Sequence, residues 1–248
     1  MRIDVLFGST NLLPAWITGR VVAVIDVLRA STTITAALAN GARSVIPLES
    51  ADEAITRAKQ FERSEVRLAG ERKMAIISGF DLGNSPREFS REVVDGKTIL
   101  ITTTNGTGAI TGIQGARDVV VASYVNFTAV TSLLRAAARG GTDITIVCAG
   151  RDRQFSLEDA ACAGRYVRAV SKSIEGTDLG DGAVACTMID SRYADRLDQL
   201  FAESEHGQAL VEAGFGDDLA ICAAVDQFPV IPIYQDRQIT LLGPDRER

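Results

Sequence analysis

Short apolar runs alternate with amphipathic segments along most of the chain. Runs rich in β-branched residues predict buried strands at 21–25, 44–48, 98–104, 119–122 and 144–148. Between them, helical periodicity and capping residues predict helices over 32–40, from Ser50 to about 61, over 126–139 and after Ser156. Continuous apolar strands separated by helices are typical of sheets that are covered on both faces. The pattern therefore predicts an α/β fold with α/β/α layers and a mostly parallel or mixed sheet.

The C-terminal part of the chain has a different pattern. From about residue 177 to residue 225 it is predicted to be mainly helical, and short apolar runs at 229–233 and 238–242 predict two strands that close the fold. No linker, low-complexity tract or internal repeat is present in the sequence. We therefore expect a single domain over residues 1–248.

Composition and charge narrow the classes of function. The net charge of −6 gives no general attraction for nucleic acid or an anionic membrane. No run of about 18 apolar residues predicts a membrane-spanning helix, and the N-terminus lacks the pattern of a signal peptide, so a cytoplasmic protein is expected. The only histidine, His206, excludes a zinc site built from several histidines and is expected to pack or cap the C-terminal helices. The four cysteines form no CxxC pair and are expected to be buried, reduced thiols.

Polar residues that follow the predicted strands are candidates for a ligand site. Ligands of open α/β sheets bind beyond the carboxyl ends of the strands, so we expect these segments to meet along one rim of the sheet. Asp26 and Arg29 follow the strand at 21–25. Asp26 can ligate a metal ion, and the Arg29 guanidinium can bind phosphate or carboxylate oxygens. Ser31 and Thr32 fit a helix cap as well as a contact with an oxyanion.

Two further segments carry polar groups beside glycines. Asn84 and Ser85 lie in a glycine-containing loop whose backbone can approach a ligand, although an ordinary turn fits the same composition. Thr104, Asn105 and Gly106 end the strand at 98–104 and suit an oxyanion cradle of backbone N–H groups, with a simple Asn-Gly turn as the alternative.

Carboxylates at the start of the helix after Ser156 complete the candidate set. Glu158 and Asp159, together with Asp26, would provide the oxygen ligands that Mg²⁺ requires. Arg151 and Arg153 would add positive charge beside them. The alternative is that the two carboxylates only complement the positive N-terminal end of the helix. Of the other strand-end residues, Asn126 is better explained as a helix cap.

Known phosphatase schemes can be compared with these residues. A cysteine phosphatase needs an arginine six positions after the cysteine, but Gln154 stands there after Cys148. An aspartyl nucleophile of the D-x-D type fails because Leu28 occupies the second acidic position. The RHGxRxP motif is absent. The mechanism that remains uses magnesium held by carboxylates, together with arginines and backbone N–H donors. It does not identify the nucleophile.

Four long segments together resemble the signature blocks of the ComB-like 2-phosphosulfolactate phosphatases. They are VVAVIDVLRASTTITAALANGARSVIPL, GFDLGNSPREF, KTILITTTNGTGAI and IVCAGRDRQFSLEDAACAG, in the same order and spacing, with a weaker match at 204–207 and 216–222. The resemblance implies a compact α/β fold. It also implies an Mg²⁺-dependent hydrolase that converts (2R)-2-phospho-3-sulfolactate to (2R)-3-sulfolactate and phosphate, a step in coenzyme M biosynthesis.

The resemblance also assigns residues. The polar positions of the family fall on Asp26, Arg29, Ser31, Thr32, Glu71, Asp81, Asn84, Ser85, Thr104, Asn105, Gly106, Asn126, Cys148, Gly150, Glu158 and Asp159. We assign Asp26, Glu158 and Asp159 to Mg²⁺ and count them, with Arg29, as catalytic. The residues expected to bind the substrate are Ser31, Thr32, Asn84, Ser85, Thr104, Asn105, Gly106, Asn126 and Gly150.

Two alternatives stay open. The first is a phosphatase of the same mechanism that acts on another small phosphorylated hydroxy acid. The second is a non-catalytic α/β protein that binds anions. In each case the expected partner is a small anionic molecule, with neither nucleic acid nor membrane involved, and a homo-oligomer is compatible with the sequence.

Overall fold

The structure, a computed structural model, describes residues 1–10, 12–152 and 154–243. Its strands are β1 (Arg2–Phe7), β2 (Val21–Ile25), β3 (Ser44–Pro47), β4 (Val66–Arg72), β5 (Ala75–Ile76), β6 (Thr98–Thr102), β7 (Asp118–Ala122), β8 (Ile144–Cys148), β9 (Asp178–Leu179), β10 (Pro232–Gln235) and β11 (Gln238–Leu241). Its α-helices are α1 (Ala30–Ala39), α2 (Ala51–Ala58), α3 (Arg91–Val94), α4 (Gly106–Thr111), α5 (Phe127–Arg139), α6 (Leu157–Ser171), α7 (Asp181–Tyr193), α8 (Leu197–Glu203), α9 (Glu205–Glu212) and α10 (Gly216–Ala223). Three 3-10 turns, at Pro14–Trp16, Pro86–Glu88 and Tyr124–Asn126, complete the described elements.

All the strands belong to one mixed sheet with the order β5-β4-β6-β3-β11-β10-β7-β2-β8-β1-β9. Strands β4, β6 and β3 are parallel to one another, as are β7, β2, β8, β1 and β9. The antiparallel hairpin β10–β11 joins these two parallel groups. The predicted α/β class with a mixed sheet is confirmed. The two C-terminal strands, which were expected to close the fold, lie in the middle of the sheet.

The hairpin reverses the strand direction between the two groups. Because β3 is antiparallel to β11, β11 to β10 and β10 to β7, the β3 group runs opposite to the β7 group. The segments after β2 and β6 do meet, since a Cβ at Gly106 would lie 2.5 Å from Asp26 Oδ2. The expectation that they meet at one edge of a parallel sheet is wrong, because the two strands run in opposite directions. Sheet twist of about 20–25° per strand rotates such distant strands strongly relative to one another.

Strand β2 explains how the helices cover both faces of the sheet. Its five residues are all buried, and alternate side chains enter different cores. Val21 and Ile25 pack in the core that includes side chains of α5, α6 and α7. Val22 and Val24 pack in the core that includes side chains of α1 and α4. A strand that is covered on both faces needs a continuous apolar run, which is what its sequence shows.

Side-chain caps fix the starts of three helices. Ser50 Oγ accepts a hydrogen bond from the Glu53 N–H at 3.1 Å, Ser156 Oγ from the Asp159 N–H at 3.3 Å, and Ser204 Oγ from the Gly207 N–H at 3.0 Å. The first two caps confirm the predicted starts of α2 and α6.

The prediction for the cysteines is confirmed, because all four are buried and unpaired. Within the described ranges, none of the helices has the length and apolar character needed to cross a membrane.

Candidate active site

A cavity of about 230 Å³ lies where polar segments of both strand groups meet. Its walls come from the β2–α1 turn, the β4–β5 hairpin, the β6–α4 turn, the segment after β8 and helix α9. The lining side chains that carry the chemistry discussed below are Asp26, Arg29, Glu71, Lys73, Asn84, Thr104, Asn105, Arg151 and His206. Because acidic and basic groups line the same small volume, the cavity suits a compact charged ligand.

The β2–α1 turn holds the Asp26 carboxylate at this cavity. The Asp26 N–H donates to Ser31 Oγ at 2.9 Å, and Asp26 Oδ1 accepts from the Ala30 N–H at 3.3 Å. Asp26 Oδ2 accepts no hydrogen bond from the part of the chain that the structure describes. Gly106 packs against this oxygen, because an ideal Cβ at position 106 would lie 2.5 Å from Oδ2. The carboxylate is therefore buried with one oxygen still able to bind a ligand.

Arg29 is buried beside Asp26 and is held by helix α10. Its Nη1 donates to Asp218 Oδ2 at 2.7 Å, and Ser85 Oγ donates to the other Asp218 oxygen at 2.6 Å. The guanidinium carbon lies 4.3 Å from the ring centroid of Phe215, a cation–π contact. The peptide bond between Leu28 and Arg29 is cis. Since a guanidinium has five N–H donors, Arg29 keeps donors for an anion in the cavity.

Glu71 ties the β4–β5 hairpin to the β6–α4 turn. Its Oε2 accepts from the Met74 N–H at 2.9 Å and from Thr104 Oγ1 at 3.2 Å. Its Oε1 accepts from the Thr104 N–H at 2.8 Å. Both oxygens of this buried carboxylate are thus used, and the contacts place the tip of the hairpin at the cavity.

Behind Asp26, the start of α6 adds two more buried carboxylates. Asp159 Oδ1 accepts from the Val27 N–H at 2.8 Å, and its Oδ2 accepts from the Gly150 N–H at 3.0 Å. Glu158 Oε1 lies 3.1 Å from His206 Nδ1, at a neighbouring pocket that His206 also lines. Asp159 therefore connects the turns after β2 and β8, while Glu158 orients the imidazole.

The site has more buried negative than positive charge. Asp26, Glu71, Glu158 and Asp159 are all buried, whereas Arg29 is already paired with Asp218. Burial, together with the charges of Glu71 and Glu158, raises the pKa of the Asp26 carboxyl to about 7. Burial and the charges of Glu158 and Asp26 also raise the pKa of Asp159 well above its usual value. A proton or a bound cation would relieve this repulsion.

The cavity brings together five of the predicted site residues, namely Asp26, Arg29, Asn84, Thr104 and Asn105. The others that the structure describes, Ser31, Thr32, Ser85, Gly106, Asn126, Gly150, Glu158 and Asp159, lie outside the lining of this cavity. Arg153 lies outside the described residues. The predicted segments after β2, β6 and β8 thus each contribute residues to the cavity, whereas the segment after β7 that contains Asn126 contributes none.

Several of these outlying residues have structural contacts instead. Thr32 Oγ1 donates to the Val27 carbonyl at 2.9 Å, and Asn126 Oδ1 accepts from the Ser123 N–H at 2.9 Å. The Asn126 bond supports its capping interpretation. Helix α1 has no side-chain cap from the described residues, so Thr32 does not cap it and instead holds the preceding turn. Gly150 has φ +73°, and a Cβ there would lie 1.7 Å from the Gln154 carbonyl oxygen. Glycine is therefore required at position 150 by the backbone.

Comparison with protein families identifies the chain. A family model described as 2-phosphosulpholactate phosphatase matches residues 9–237. The chain belongs to the 2-phosphosulfolactate phosphatase family. The resemblance inferred from the sequence segments is thereby confirmed.

Curated relatives support this membership along nearly the whole chain. A probable 2-phosphosulfolactate phosphatase of Symbiobacterium thermophilum is 43% identical over 94% of this chain and 99% of its own length. One of Thermotoga petrophila is 40% identical, over 86% of this chain and 88% of its own length. One of Clostridium botulinum (strain Alaska E43) is 34% identical, over 98% of this chain and 100% of its own length.

The oxygen donors at this cavity fit an Mg²⁺ ion that is bound by only a few protein ligands. Among the described residues, no group of three or more His, Cys, Asp or Glu side chains could hold a metal ion. Mg²⁺ is, however, commonly bound by one or two carboxylates, with water and substrate phosphate as its remaining ligands. Asp26 Oδ2 is available, and the buried Oδ1 atoms of Asn84 and Asn105 have no hydrogen-bond partner. These oxygen donors, with the excess buried negative charge, fit a hard divalent cation.

Three residues in or next to the cavity were not predicted as site residues. Lys73 comes from a hairpin that the apolar pattern did not predict, and His206 and Asp218 come from C-terminal helices. The only sequence signal for the last two was the weak resemblance at 204–207 and 216–222. His206 was expected to be a packing or capping residue, but it contacts Glu158 and lines the cavity.

Gly106→Ala is expected to lower both stability and activity. Its Cβ would lie 2.5 Å from both Asp26 Oδ2 and Ala30 Cβ, and overpacking of this kind costs about 1–3 kcal/mol. Gly108→Ala in the same helix is the matched control, because nothing lies within 4 Å of the point that a Cβ would occupy there and alanine is the better helix former by about 1 kcal/mol. The Tm and the rate of phosphate release should fall only for Gly106→Ala. Equal behaviour of the two variants would show that Gly106 does not protect the Asp26 carboxylate.

Proposed function

We propose that the chain is a phosphatase that hydrolyses (2R)-2-phospho-3-sulfolactate to (2R)-3-sulfolactate and phosphate. The observation that carries the proposal is that a buried arginine and a buried carboxylate with a free oxygen line one small cavity in a chain of this family. A cavity of about 230 Å³ suits a compact metabolite better than a polymer or a large cofactor. Coenzyme M biosynthesis in the cytoplasm is the proposed setting of the reaction.

In the proposed reaction, Arg29 binds the phosphoryl oxygens and stabilises the negative charge that develops on them. Its position is preorganised by Asp218 and by the ring of Phe215, so little reorganisation accompanies the reaction. Asn84 and Asn105 lie on the same cavity and orient the substrate through their amide groups. The apolar side chains of Leu28, Met74 and Leu210 also line the cavity and limit the access of water.

Mg²⁺ is part of the proposal, with Asp26 as the carboxylate that would hold it directly. Glu158 and Asp159, which the sequence analysis also assigned to Mg²⁺, would act only through their charge, because the described residues include no group of three such side chains that could bind a metal ion. Asp26 is the best placed of these, because both oxygens of Asp159 accept backbone hydrogen bonds and Glu158 is paired with His206. Glu158 and Asp159 add negative charge behind Asp26, which favours a cation there. When bound, Mg²⁺ would polarise the phosphoryl group and neutralise part of its charge.

Phosphate release from (2R)-2-phospho-3-sulfolactate should require Mg²⁺. We expect chelation by EDTA to lower the rate by at least about 100-fold, the size of a major electrostatic contribution to catalysis, and excess Mg²⁺ to restore it. Phospholactate and phosphoglycerate in the same assay separate this substrate from other phosphorylated hydroxy acids. Tight binding of these compounds without any metal-dependent release would instead favour a non-catalytic anion-binding protein.

A further inference from the structure

Two basic side chains that line the cavity are not committed to strong ion pairs. Lys73, at the tip of the β4–β5 hairpin, is exposed and forms no salt bridge with any residue in the described ranges. Arg151, after β8, lies 3.6 Å from the carboxylate of Glu205, which is 91% exposed. Exposed pairs of this kind contribute only about 0–1 kcal/mol, so an anionic ligand can replace Glu205 easily.

The backbone holds Lys73 at the cavity in a conformation that disfavours non-glycine residues. Lys73 and Met74 have φ values of +51° and +67°, which lie in the left-handed region. The Glu71 carboxylate binds the Met74 N–H, and Met74 packs against the larger core. Residues kept in such conformations by their surroundings are concentrated at functional sites. The hairpin is therefore a built wall of the cavity rather than a free loop.

The cations that line the cavity differ in burial. Arg29 is buried between Asp218 and Phe215, next to Asp26, where the proposed function places the phosphoryl group. Lys73 and Arg151 are more exposed side chains from other segments of the wall. A phosphate monoester with further acid groups would place those groups beyond the phosphoryl group, in reach of the more exposed cations.

We propose that Lys73 and Arg151 bind the acid groups of the substrate that are not transferred, and thereby select phosphate monoesters that carry a carboxylate and a sulfonate. The inference rests on the proposed function for the identity of the transferred group. It adds two specificity-determining residues, of which Lys73 had no assigned role and Arg151 only the general role of supplying positive charge.

Turnover of three substrates tests the selectivity. The substrates are phosphosulfolactate, phospholactate, which lacks the sulfonate, and isopropyl phosphate, which lacks both acid groups. Lys73→Met and Arg151→Met should each lower the ratio of kcat/KM for phosphosulfolactate to that for isopropyl phosphate by about 10- to 100-fold, the size of one lost charged hydrogen bond. The loss should appear mainly in KM. Lys59→Met and Arg139→Met remove exposed charges elsewhere and should leave the ratio unchanged.

Binding of 3-sulfolactate, measured by titration calorimetry, tests the inference without turnover. We expect the wild-type protein to bind it and both variants to bind it at least about tenfold more weakly. An unchanged selectivity ratio together with unchanged sulfolactate affinity would overturn the inference. If wild-type protein bound sulfolactate through Lys73 but released no phosphate, the proposed reaction would fail while this inference stood. Absence of sulfolactate binding by active wild-type protein would refute the inference alone.

Discussion

Asp26→Asn is expected to remove at least about 99% of the phosphate-releasing activity, since single preorganised electrostatic groups contribute about 100- to 1,000-fold to rates. The substitution keeps the size of the side chain and its hydrogen bond from the Ala30 N–H. It removes the negative charge that we propose attracts Mg²⁺. The variant should therefore lose activity even at saturating Mg²⁺, and titration calorimetry should detect no Mg²⁺ binding. A variant that is inactive but binds Mg²⁺ as tightly as wild-type protein would contradict the metal-ligand role.

The same substitution should stabilise the metal-free protein at high pH. The pKa of Asp26 rises from 3.8 to about 7 on folding, chiefly because of burial. The folded protein therefore holds this proton more tightly than the unfolded chain does. The protonated Asp26 carboxyl therefore contributes to stability fully below about pH 4, and this contribution is lost as the pH rises through about 7. Ionisation of Asp26 then lowers the free energy of unfolding by on the order of 2–4 kcal/mol. In EDTA, the variant should exceed wild-type protein in stability at pH 8 but not at pH 4.

Thermal unfolding at several pH values, with and without Mg²⁺, measures this effect. Added Mg²⁺ should raise the Tm of wild-type protein but not that of Asp26→Asn, because the proposed binding to the folded state needs the Asp26 carboxylate. Asp236→Asn is a suitable control. Asp236 is exposed in the turn between β10 and β11, with φ +52°, a conformation that asparagine tolerates well. This control should show neither the activity loss nor the pH-dependent gain.

The strands that could be predicted are those with continuous apolar runs. Strands β2, β6 and β8 are buried along their whole length, so their pattern needs no knowledge of their neighbours. Strand β1 was not predicted, because only alternate residues are buried in its sequence RIDVLF. Strand β4 combines Val66 and Leu68 with charged and glycine positions in VRLAGER, and no strand is predicted there. Such partly exposed strands are defined by their pairing partners rather than by local composition.

The position of the C-terminal hairpin could not be predicted either. Its two strands are short and apolar, and the sequence does not say which strands they join. In the structure, Ile239 pairs with Val45 and Ile233 with Val120, so the last strands of the chain connect its two halves. This pairing sets the relative direction of the halves and hence the way in which the site is assembled.

For the site, position after a strand was informative but incomplete. Asp26, Thr104 and Asn105 were found by this rule and line the cavity. Asp218 was not assigned a role, because nothing local in α10 distinguishes it from its neighbour Asp217. Only the fold reveals that Asp218 is buried against Arg29 while Asp217 pairs with Arg87 at the surface. The roles of such residues depend on contacts between segments that are almost 190 positions apart.

Asp218→Ala is expected to have a large effect on both stability and activity, whereas the same change at its neighbour Asp217 is not. Removal of Asp218 leaves the Arg29 charge buried and unpaired, which typically costs about 3–5 kcal/mol. In a chain of this length the Tm should fall by roughly 2–4 °C per kcal/mol. We also expect kcat/KM to fall at least about tenfold, because Arg29 loses the carboxylate that orients it. Asp217→Ala, which breaks an exposed pair with the same nominal distance of 2.7 Å, should change stability by less than about 1 kcal/mol.

A double variant separates the role of Asp218 in stability from its role in positioning Arg29. Arg29→Met with Asp218→Leu replaces the buried pair by apolar side chains, a change that is often neutral for stability. Thermal stability should recover toward the wild-type value, whereas phosphate release should fall below that of Asp218→Ala because no guanidinium remains to bind the phosphoryl oxygens. Recovery of activity with stability would mean that the Arg29–Asp218 pair only supports the fold. Stability that recovers without activity would support a contact of Arg29 with the substrate, and the lower kcat/KM of Asp218→Ala would then report the positioning of Arg29.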